Sequence, residues 1–567
     1  MSDPSSLALH SRTLGALPVL QYVFDRLGLD ALLRQAVPIE DPRYRIAPAT
    51  ALGVLLRNIV LGRRPLYGLA AWAEPYDPKL LGLEPDQIPG LNDDRVGRAL
   101  DHLFDADRAS FLTALVVRAV REFGVALDQF HNDSTSITFS GEYDLATGRK
   151  LRGTPALRIT HGYNKDHRPD LKQLLWILTV SADGAVPVHY RVCDGNTPDD
   201  PTHIETWETV RKLAGRPDFL YVADSKLCTR ANLDHIARAG GRFITVLPRN
   251  RKEDKWFRKH IQKHELPWEE VIRRPNPHGG DRPPDVWSVV ASPNRSAEGY
   301  RVIWVWSTLM AERDGQARLA VIEKTHDAIQ ALHDKLQGPQ CRLKERVAVE
   351  EAVERILKTT GAGRWAAVEV VEQRESQFKQ AGPGRPGPLT RYVRTEHSRF
   401  SLVWKLKVEV IAFDARTDGM YPLITNCDDL TPGDVLHKYK YQPRLEKRHE
   451  QLKTVYAVAP VLLKNEGRIE ALLLLYFVAL LVQALIERQV RNGMSAEKIE
   501  VLPLYFEERE CRAPTAARIL EVFENLQRHE LADGGGIRQV FHPTLTPLHR
   551  DLLRLLGAPT TPYTASP

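Results

Sequence analysis

Cysteine is scarce, five in 567 residues (Cys193, Cys228, Cys341, Cys427 and Cys511), and no two form a CxxC pair. Such scatter excludes a disulfide framework and a structural zinc knuckle, and it fits a reducing cytosol. Long apolar runs are also wanting. The most apolar segment, "ALLLLYFVALLVQALI" from Ala471 to Ile486, contains Gln483 and is flanked by Glu470 and Glu487. A membrane-spanning helix needs about 20 apolar residues, so a fully buried core helix is expected and no membrane partner. The start, "MSDPSSLALHSRTLG", lacks a basic stretch followed by an apolar run and does not read as a secretory signal. Charge of one sign is nearly absent too. A net +6 over this length does not argue for nucleic acid by itself; only local clustering of cations could.

What is present is a change of texture along the chain. Residues 1–124 carry apolar positions at helical spacing, as in "ALPVLQYVFDRLGLDALLRQAV" and "ASFLTALVVRAVREFG", the latter capped by Asp105 or Asp107. Residues 125–248 read as three consecutive strands, then helix–strand–helix–strand, with Asp183-Gly184 as a hairpin signal. That succession predicts an α/β mixed sheet with helices on its faces. Residues 249–415 break the alternation and form a mixed α/β insertion, with loops at "RRPNPHGGDRPPD" and "AGPGRPGPLTR". Residues 416–491 return with a strand, "GMYPLITNC", a long helix over about 431–456 and the buried helix at 466–491. Residues 492–567 read as short helices and turns ending in a disordered "APTTPYTASP".

Within the first strand, "HNDSTSITFSGEY" places Asp133 on the same side as Ile137 and Phe139, the side expected to be buried. Ser134 and Ser136 fall on the other face, as ordinary strand residues. A buried carboxylate is costly unless it is paired or binds a cation. Two further acids qualify as companions. Asp224 ends the apolar run "FLYVAD", where ligands of such sheets bind. Glu446 lies in "YKYQPRLEKRHEQLK". On one continuous helix, Tyr439, Glu446 and Lys453 would share a face, with Arg444 and Arg448 toward the opposite one. From Leu436 to Lys453 there are six Lys/Arg and two Glu. Converging carboxylates suit Mg²⁺ or Mn²⁺. Two such ions serve phosphodiester chemistry, with a basic helix behind them for the backbone of a nucleic acid. Taken singly, each acid reads more readily as a turn, a cap or a solvated ion pair than as a catalytic group. The order strand-Asp, strand-end-Asp, insertion, helix-Glu favours the site.

That order resembles the DDE insertion-sequence transposases with an RNase H-like core, and within them the insertion-sequence-four-like superfamily with a helical N-terminal domain. The matching segments are "HNDSTSITFSGEY", "GYNKDHRPDLKQLLW" with "CDGNTPDD", "YVADSKLCTRANL", and "YKYQPRLEKRHEQLK" followed by "LLKNEGRIEALLLLYFVALLVQALIERQVR". The resemblance implies Asp133, Asp224 and Glu446 as ligands of two Mg²⁺ ions, replaceable by Mn²⁺. The superfamily's Tyr–Arg–Glu–Lys signature falls on Tyr439, Glu446 and Lys453, with Tyr439 positioning the DNA end and Lys453 neutralising a phosphate. Its Arg position is Gln442 here, a departure that leaves open which residue makes that phosphate contact; Arg444 is two residues away on another face. Double-stranded DNA as partner, end recognition by residues 1–124, a homodimer in the synaptic complex and a nucleoid-associated cytoplasmic location follow from the same resemblance. A nuclease without strand transfer and a non-catalytic DNA-binding descendant are the alternatives.

Weaker signals accompany these. "PRNRKEDKWFRKHIQK" carries seven Lys/Arg against two acids. It serves equally as a DNA-backbone contact, through Arg249, Arg251 and Lys252 with Trp256 and Phe257 stacking, or as a solvated helix face. His260 and His264 have zinc-ligand spacing but lack the HExxH glutamate, and they read as surface residues. Asp194 and Asp199 around "GNTP" could support the site's acids from behind, but a turn and a helix cap explain them adequately. The tryptophans at 287, 304, 306, 365 and 404 read as packing of the insertion, or as an aromatic for a flipped base.

Overall fold

Residues 129–139 form the first core strand of a mixed sheet, and hydroxyl and β-branched side chains fill both of its faces. A computed structural model of the chain describes residues 7–38, 44–276, 283–338, 341–455, 463–505, 507, 509–533 and 536–565. The chain divides into two compact units, residues 1–245 with 437–567, and residues 246–436.

In the first unit the sheet runs Pro187–Cys193, Lys172–Ser181, Gln129–Phe139, Leu220–Ala223, Arg242–Val246. The first three strands are antiparallel, and the last two join parallel to Gln129–Phe139 and to each other. Antiparallel neighbours need only short turns, whereas each parallel strand needs a crossover helix. The helices Thr202–Ala214 and Arg230–Arg238 supply the crossovers. Asp183-Gly184 makes the first hairpin, with Gly184 at φ +82°, a conformation glycine adopts without a Cβ penalty.

The same unit contains the helices before residue 125. Asp107, not Asp105, caps Arg108–Phe123 by accepting the Ser110 N–H at 3.0 Å. A strand at Ala8–Thr13 pairs with Gln527–Asp533, which pairs with Gly536–Phe541. The C-terminal region therefore holds strands as well as the expected helices and turns. The expected disorder of the last ten residues is also corrected. Thr561–Thr564 is a short helix, and Tyr563 is fully buried, its hydroxyl donating to the Gly15 carbonyl at 2.9 Å. One large aromatic side chain offers enough apolar area to order a tail of this length. Ser566 and Pro567 lie outside the described residues.

The apolar segment is the helix Glu466–Ala496, started by Asn465, whose side chain accepts the Arg468 N–H. By length and composition this helix could cross a membrane, yet 94% of its most apolar window is buried inside the protein. Its charges are tied to the surrounding fold: Glu470 to Arg108 at 3.0 Å, Glu487 to Arg448 at 2.9 Å, and Arg488 to Asp183 at 2.6 Å.

The long helix expected over 431–456 is three pieces: Pro432–Tyr439, Gln442–Glu450 and a π-helical turn at Gln451–Val455. Pro443 explains the first break. Its ring would clash with the carbonyl of Tyr439, four residues earlier, and it brings no N–H to bond it. The wider π turn then rotates Lys453 off the α-helical face. A single face holding Tyr439, Glu446 and Lys453 on one helix therefore does not exist.

The second unit is an antiparallel sheet, Met420–Thr425, Arg301–Ser307, Asp285–Ala291, Glu269–Arg274, with the helices Thr308–Gln337 and Arg346–Thr360. Of the loop expected at 273–285, residues 277–282 lie outside the described residues. The segment "SRFSLVWKLKVEVIAFD", strand-like throughout in its sequence, is strand only to Leu406 and then the helix Val408–Ala415. "AGPGRPGPLT" is the tip of a hairpin with two 15-residue strands, Ala366–Gln380 and Tyr392–Leu406.

Candidate functional site

Parallel pairing of Gln129–Phe139 with Leu220–Ala223 sets the site. Asn132 lies opposite Ala223, so the next residues on the two strands are Asp133 and Asp224. Asp224 leaves its strand to open a short 3-10 turn, its carboxylate accepting the Lys226 N–H at 3.0 Å. Asp133 is partly buried, and one of its oxygens accepts its neighbour Ser134's N–H at 2.8 Å. Burial pushes the Asp133 carboxyl up to about 7; Asp224 and Glu446 push the same way, against Lys165 and the Ser134 N–H. Asp224 is raised as well, by burial first and by Asp199. Asp224 and Glu446 thus both act electrostatically on Asp133, although the three predicted acids come from residues 133, 224 and 446.

Glu446 itself is exposed. Its helix is fastened to the Asp133 strand by Gln442, one turn earlier. Gln442 is buried; its amide oxygen lies 2.8 Å from His131 Nδ1, and its amide nitrogen donates to the Asn132 carbonyl at 3.3 Å. Gln129 Nε2 lies 2.8 Å from His131 Nε2 and donates to the Lys438 carbonyl at 3.1 Å. These roles agree only if His131 is neutral with its proton on Nδ1, and burial does lower its pKa, to about 4. The departure at the signature Arg position therefore has a structural meaning. An amide sits in the core, where a guanidinium would be desolvated.

Tyr439 ends its own helix, and its hydroxyl is held far above the usual tyrosine range by burial, Asp224, Glu446 and Asp133. It remains a hydrogen-bond donor in the acids' field. Lys453 pairs with Asp166 through both carboxylate oxygens, at 2.6 and 2.7 Å. Arg444 is exposed. Arg448 is not part of a phosphate-holding face. Its guanidinium is buried against the carbonyls of Ala185 and Gly184, at 3.1 and 3.2 Å, and against Glu487.

Lys165 and His449 have no role in the sequence reading, and Asp199 stands there as a supporting group or a cap. Lys165 places its ammonium 2.7 Å from the Ser134 carbonyl, 2.6 Å from Ser134 Oγ, 3.0 Å from Asp199 and 3.9 Å from Asp133. Ser136 Oγ accepts the Lys165 N–H at 3.1 Å. Ser134 and Ser136 therefore hold this lysine and are more than plain strand residues. Asp199 is not the helix cap that was expected: Pro201 holds that position without a side-chain cap bond, and the Asp199 carbonyl accepts from Thr202 N and Oγ1 while its carboxylate faces Lys165. Asp194 is the turn residue expected. His449 is buried with Nδ1 3.7 Å from Asp133, and burial, Lys165 and Lys453 lower its pKa to about 3. A signal for Lys165 was legible. Asn164 accepts the N–H of Asp166 and of Arg168, an Asx turn that the string Asn-Lys-Asp encodes and that aims Lys165 back at the sheet.

A divalent cation suits this donor set. Carboxylate oxygens are hard ligands, and an added positive charge would relieve the pressure that holds Asp133 near 7. The shell is not closed as it stands: among the described residues, no three His, Cys, Asp or Glu side chains converge tightly enough to hold a metal ion. The ammonium of Lys165 is the cation among them here.

In the second unit, Arg251 is engaged by Glu253 and Glu298 at 2.9 and 2.7 Å, which raise it well above the usual arginine range. Arg249 and Lys252 are exposed, Arg249 lying 4.0 Å from Asp314. Trp256 is 41% exposed and stacks on His260. Phe257 does not stack on anything external; it is fully buried, face to face with Trp304 at 4.1 Å. His260 and His264 lie ring against ring at 4.4 Å.

Comparison with known proteins adds little to this geometry. Residues 9–117 match the model of a family described as a domain of unknown function, DUF4277. That match is confined to the N-terminal segment. No curated protein matches the chain. Among solved structures, the chain is similar to one described as the cryo-EM structure of the piggyBac transposase synaptic complex with hairpin DNA. The identity is 10% and the TM-score 0.28, over 51% of this chain and 60% of that one, less than two thirds of its length. At that TM-score the likeness carries no argument about fold or chemistry.

Proposed function

We propose that the chain is a DDE transposase with an RNase H-like core, of the kind carried by bacterial insertion sequences. The observation that supports this reading is the convergence of Asp133, Asp224 and Glu446 on neighbouring elements, with Gln442 fastening the third acid's helix to the first acid's strand. The order of three antiparallel strands followed by two parallel ones supports the RNase H-like assignment. Asp133, Asp224 and Glu446 would hold two Mg²⁺ ions, or Mn²⁺ in their place; bound there, these supply charge that polarises an attacking oxygen and stabilises the leaving one.

The other residues act on the DNA. Tyr439, kept protonated by burial among acids, donates a hydrogen bond to a phosphate oxygen. Lys453 exchanges Asp166 for a phosphate beside the cut, and Arg444 approaches the backbone from solvent. Arg249 and Lys252 contribute further backbone contacts. The reaction is hydrolysis at the element's terminal inverted repeats, then attack of the freed 3′-OH on target DNA. Residues 1–124 read the ends, and a homodimer in the nucleoid-associated cytoplasm bridges them.

An in vitro assay with labelled inverted-repeat ends and a target plasmid, with and without Asp133→Ala, tests this reading. Joined products that vanish with the substitution are expected. Cleavage without joining would instead assign a nuclease, and activity indifferent to the substitution would refute the site.

A further inference from the structure

The hairpin Ala366–Gln380/Tyr392–Leu406 is supported at its base only. There Val370, Phe400 and Leu402 pack on Ile329, Leu332, Leu336, Val349 and Val353 of the two helices beside it. All fifteen cross-strand pairs are in register, so the ribbon extends about 50 Å at the usual rise per residue. Cross-strand partners share a face. Following the packed face outward, the pairs are Glu372–Phe400, Arg374–Ser398, Ser376–Glu396, Phe378–Arg394 and Gln380–Tyr392. Apolar side chains thus cease beyond the base and reappear at the tip, where Phe378 is 64% exposed and Tyr392 54%.

Charge is distributed as unevenly. Residues 376–395 hold Lys379, Arg385, Arg391 and Arg394 and no Asp or Glu, a net +4 against +6 for the whole chain. Arg394 pairs with Glu396 at 2.9 Å. Lys379, Arg385 and Arg391 are exposed and make no ion pair among the described residues. The connecting loop, "AGPGRPGPLT", has three glycines and three prolines and therefore little bulk at the end of the ribbon.

We infer that this hairpin is a DNA-binding arm, whose tip enters the major groove of a duplex with Lys379, Arg385 and Arg391 on phosphates and Phe378 and Tyr392 against the bases. The inference rests on the DNA partner of the proposed function but not on its chemistry. The major groove admits a two-stranded ribbon. Cations without neighbouring carboxylates suit a polyanion, and exposed aromatics suit the apolar thymine methyl that the major groove presents. Lysine and arginine also discourage edge-to-edge pairing of a bare ribbon, but that role needs no aromatic side chains at the tip.

The test is fluorescence anisotropy of the full chain on a labelled 30-base-pair duplex, between 50 and 200 mM salt. It compares the wild type with K379A/R385A/R391A, F378A/Y392A and Asp133→Ala. The triple variant is expected to bind at least tenfold more weakly at 50 mM salt. Its slope of log K against log salt should be shallower by about 2.7, at about 0.9 for each phosphate no longer neutralised. The aromatic pair is expected to weaken binding with an unchanged slope. Unaltered thermal melting checks that each variant folds. Wild-type affinity and slope in the triple variant would overturn the arm, and so would loss of self-association with DNA binding intact, which would assign the tip to a second copy of the chain. The two claims fail separately: cleavage that survives Asp133→Ala refutes the acid site and leaves the arm standing, and wild-type binding by the triple variant refutes the arm and leaves the acid site standing.

Discussion

Replacing Gln442 with alanine should loosen the candidate site without touching any of its acids. The side chain is buried and makes two hydrogen bonds to the Asp133 strand, at His131 Nδ1 and at the Asn132 carbonyl. Removing it leaves both groups buried without their partner. Each orphaned group costs about 1–3 kcal/mol, so the expected destabilisation is roughly 2–6 kcal/mol. That is a large fraction of the ~5–15 kcal/mol that holds a typical domain. Because Glu446 is one helical turn beyond Gln442, its carboxylate loses its anchor to the strand. A displacement of about 1 Å at a reacting centre costs on the order of a hundredfold in rate, and cleavage by the variant should fall by about that much. Urea denaturation followed by tryptophan fluorescence measures the first effect and single-turnover cleavage the second. A double-mutant cycle with His131→Ala should show coupling of at least about 0.5 kcal/mol. A stability loss below about 0.5 kcal/mol, or strict additivity with His131→Ala, would refute the network.

Lys165→Met removes the ammonium that lies beside Asp133 and Asp199. The variant should melt lower than wild type in chelator and gain more from added Mg²⁺; equal gains would show that lysine and metal do not serve the same acids. Arg448→Met breaks a buried pair with Glu487 and abandons two carbonyls, a loss of about 3–5 kcal/mol, and a denaturation shift under ~1 kcal/mol would contradict it. Stability should also fall in acid. His131 is held near 4 while an unfolded histidine titrates near 6.5. Below 6.5 the unfolded chain therefore takes up a proton that the fold refuses. The contribution is full above 6.5 and drains away toward pH 4, by roughly 3 kcal/mol, and His131→Gln should flatten that part of the pH–stability curve.

The three acids could be singled out in the sequence because each carries a local signature. Asp133 interrupts an apolar strand face, Asp224 ends an apolar run, and Glu446 stands among cations. Gln442 looked like a missing arginine and proved to be a core residue, since a sequence pattern cannot tell a buried amide from an exposed one. The helix Glu466–Ala496 was legible from hydropathy and from the glutamates that bound its apolar run. Its charges are satisfied by Arg108, Asp183 and Arg448, partners far along the chain. Lys165 and His449 escaped notice, and Asp199 read only as a supporting group or a cap, because each acts through a neighbour brought close only by folding. Reading 431–456 as one helix gave Lys–Arg–Glu periodicity more weight than Pro443, which decides the geometry.

By itself the sequence determined the local matters: where strands, turns and the buried helix form, and which carboxylates stand at strand ends. Those follow from short-range sterics and from the periodicity of apolar side chains. Only the tertiary structure decided which cation faces Asp133, which arginines are buried and which remain free, and that Lys453 is tied to Asp166. Such pairings depend on distances between segments that can lie more than 300 residues apart. Those distances are set by how the sheet and helices pack together, which no short stretch of chain encodes.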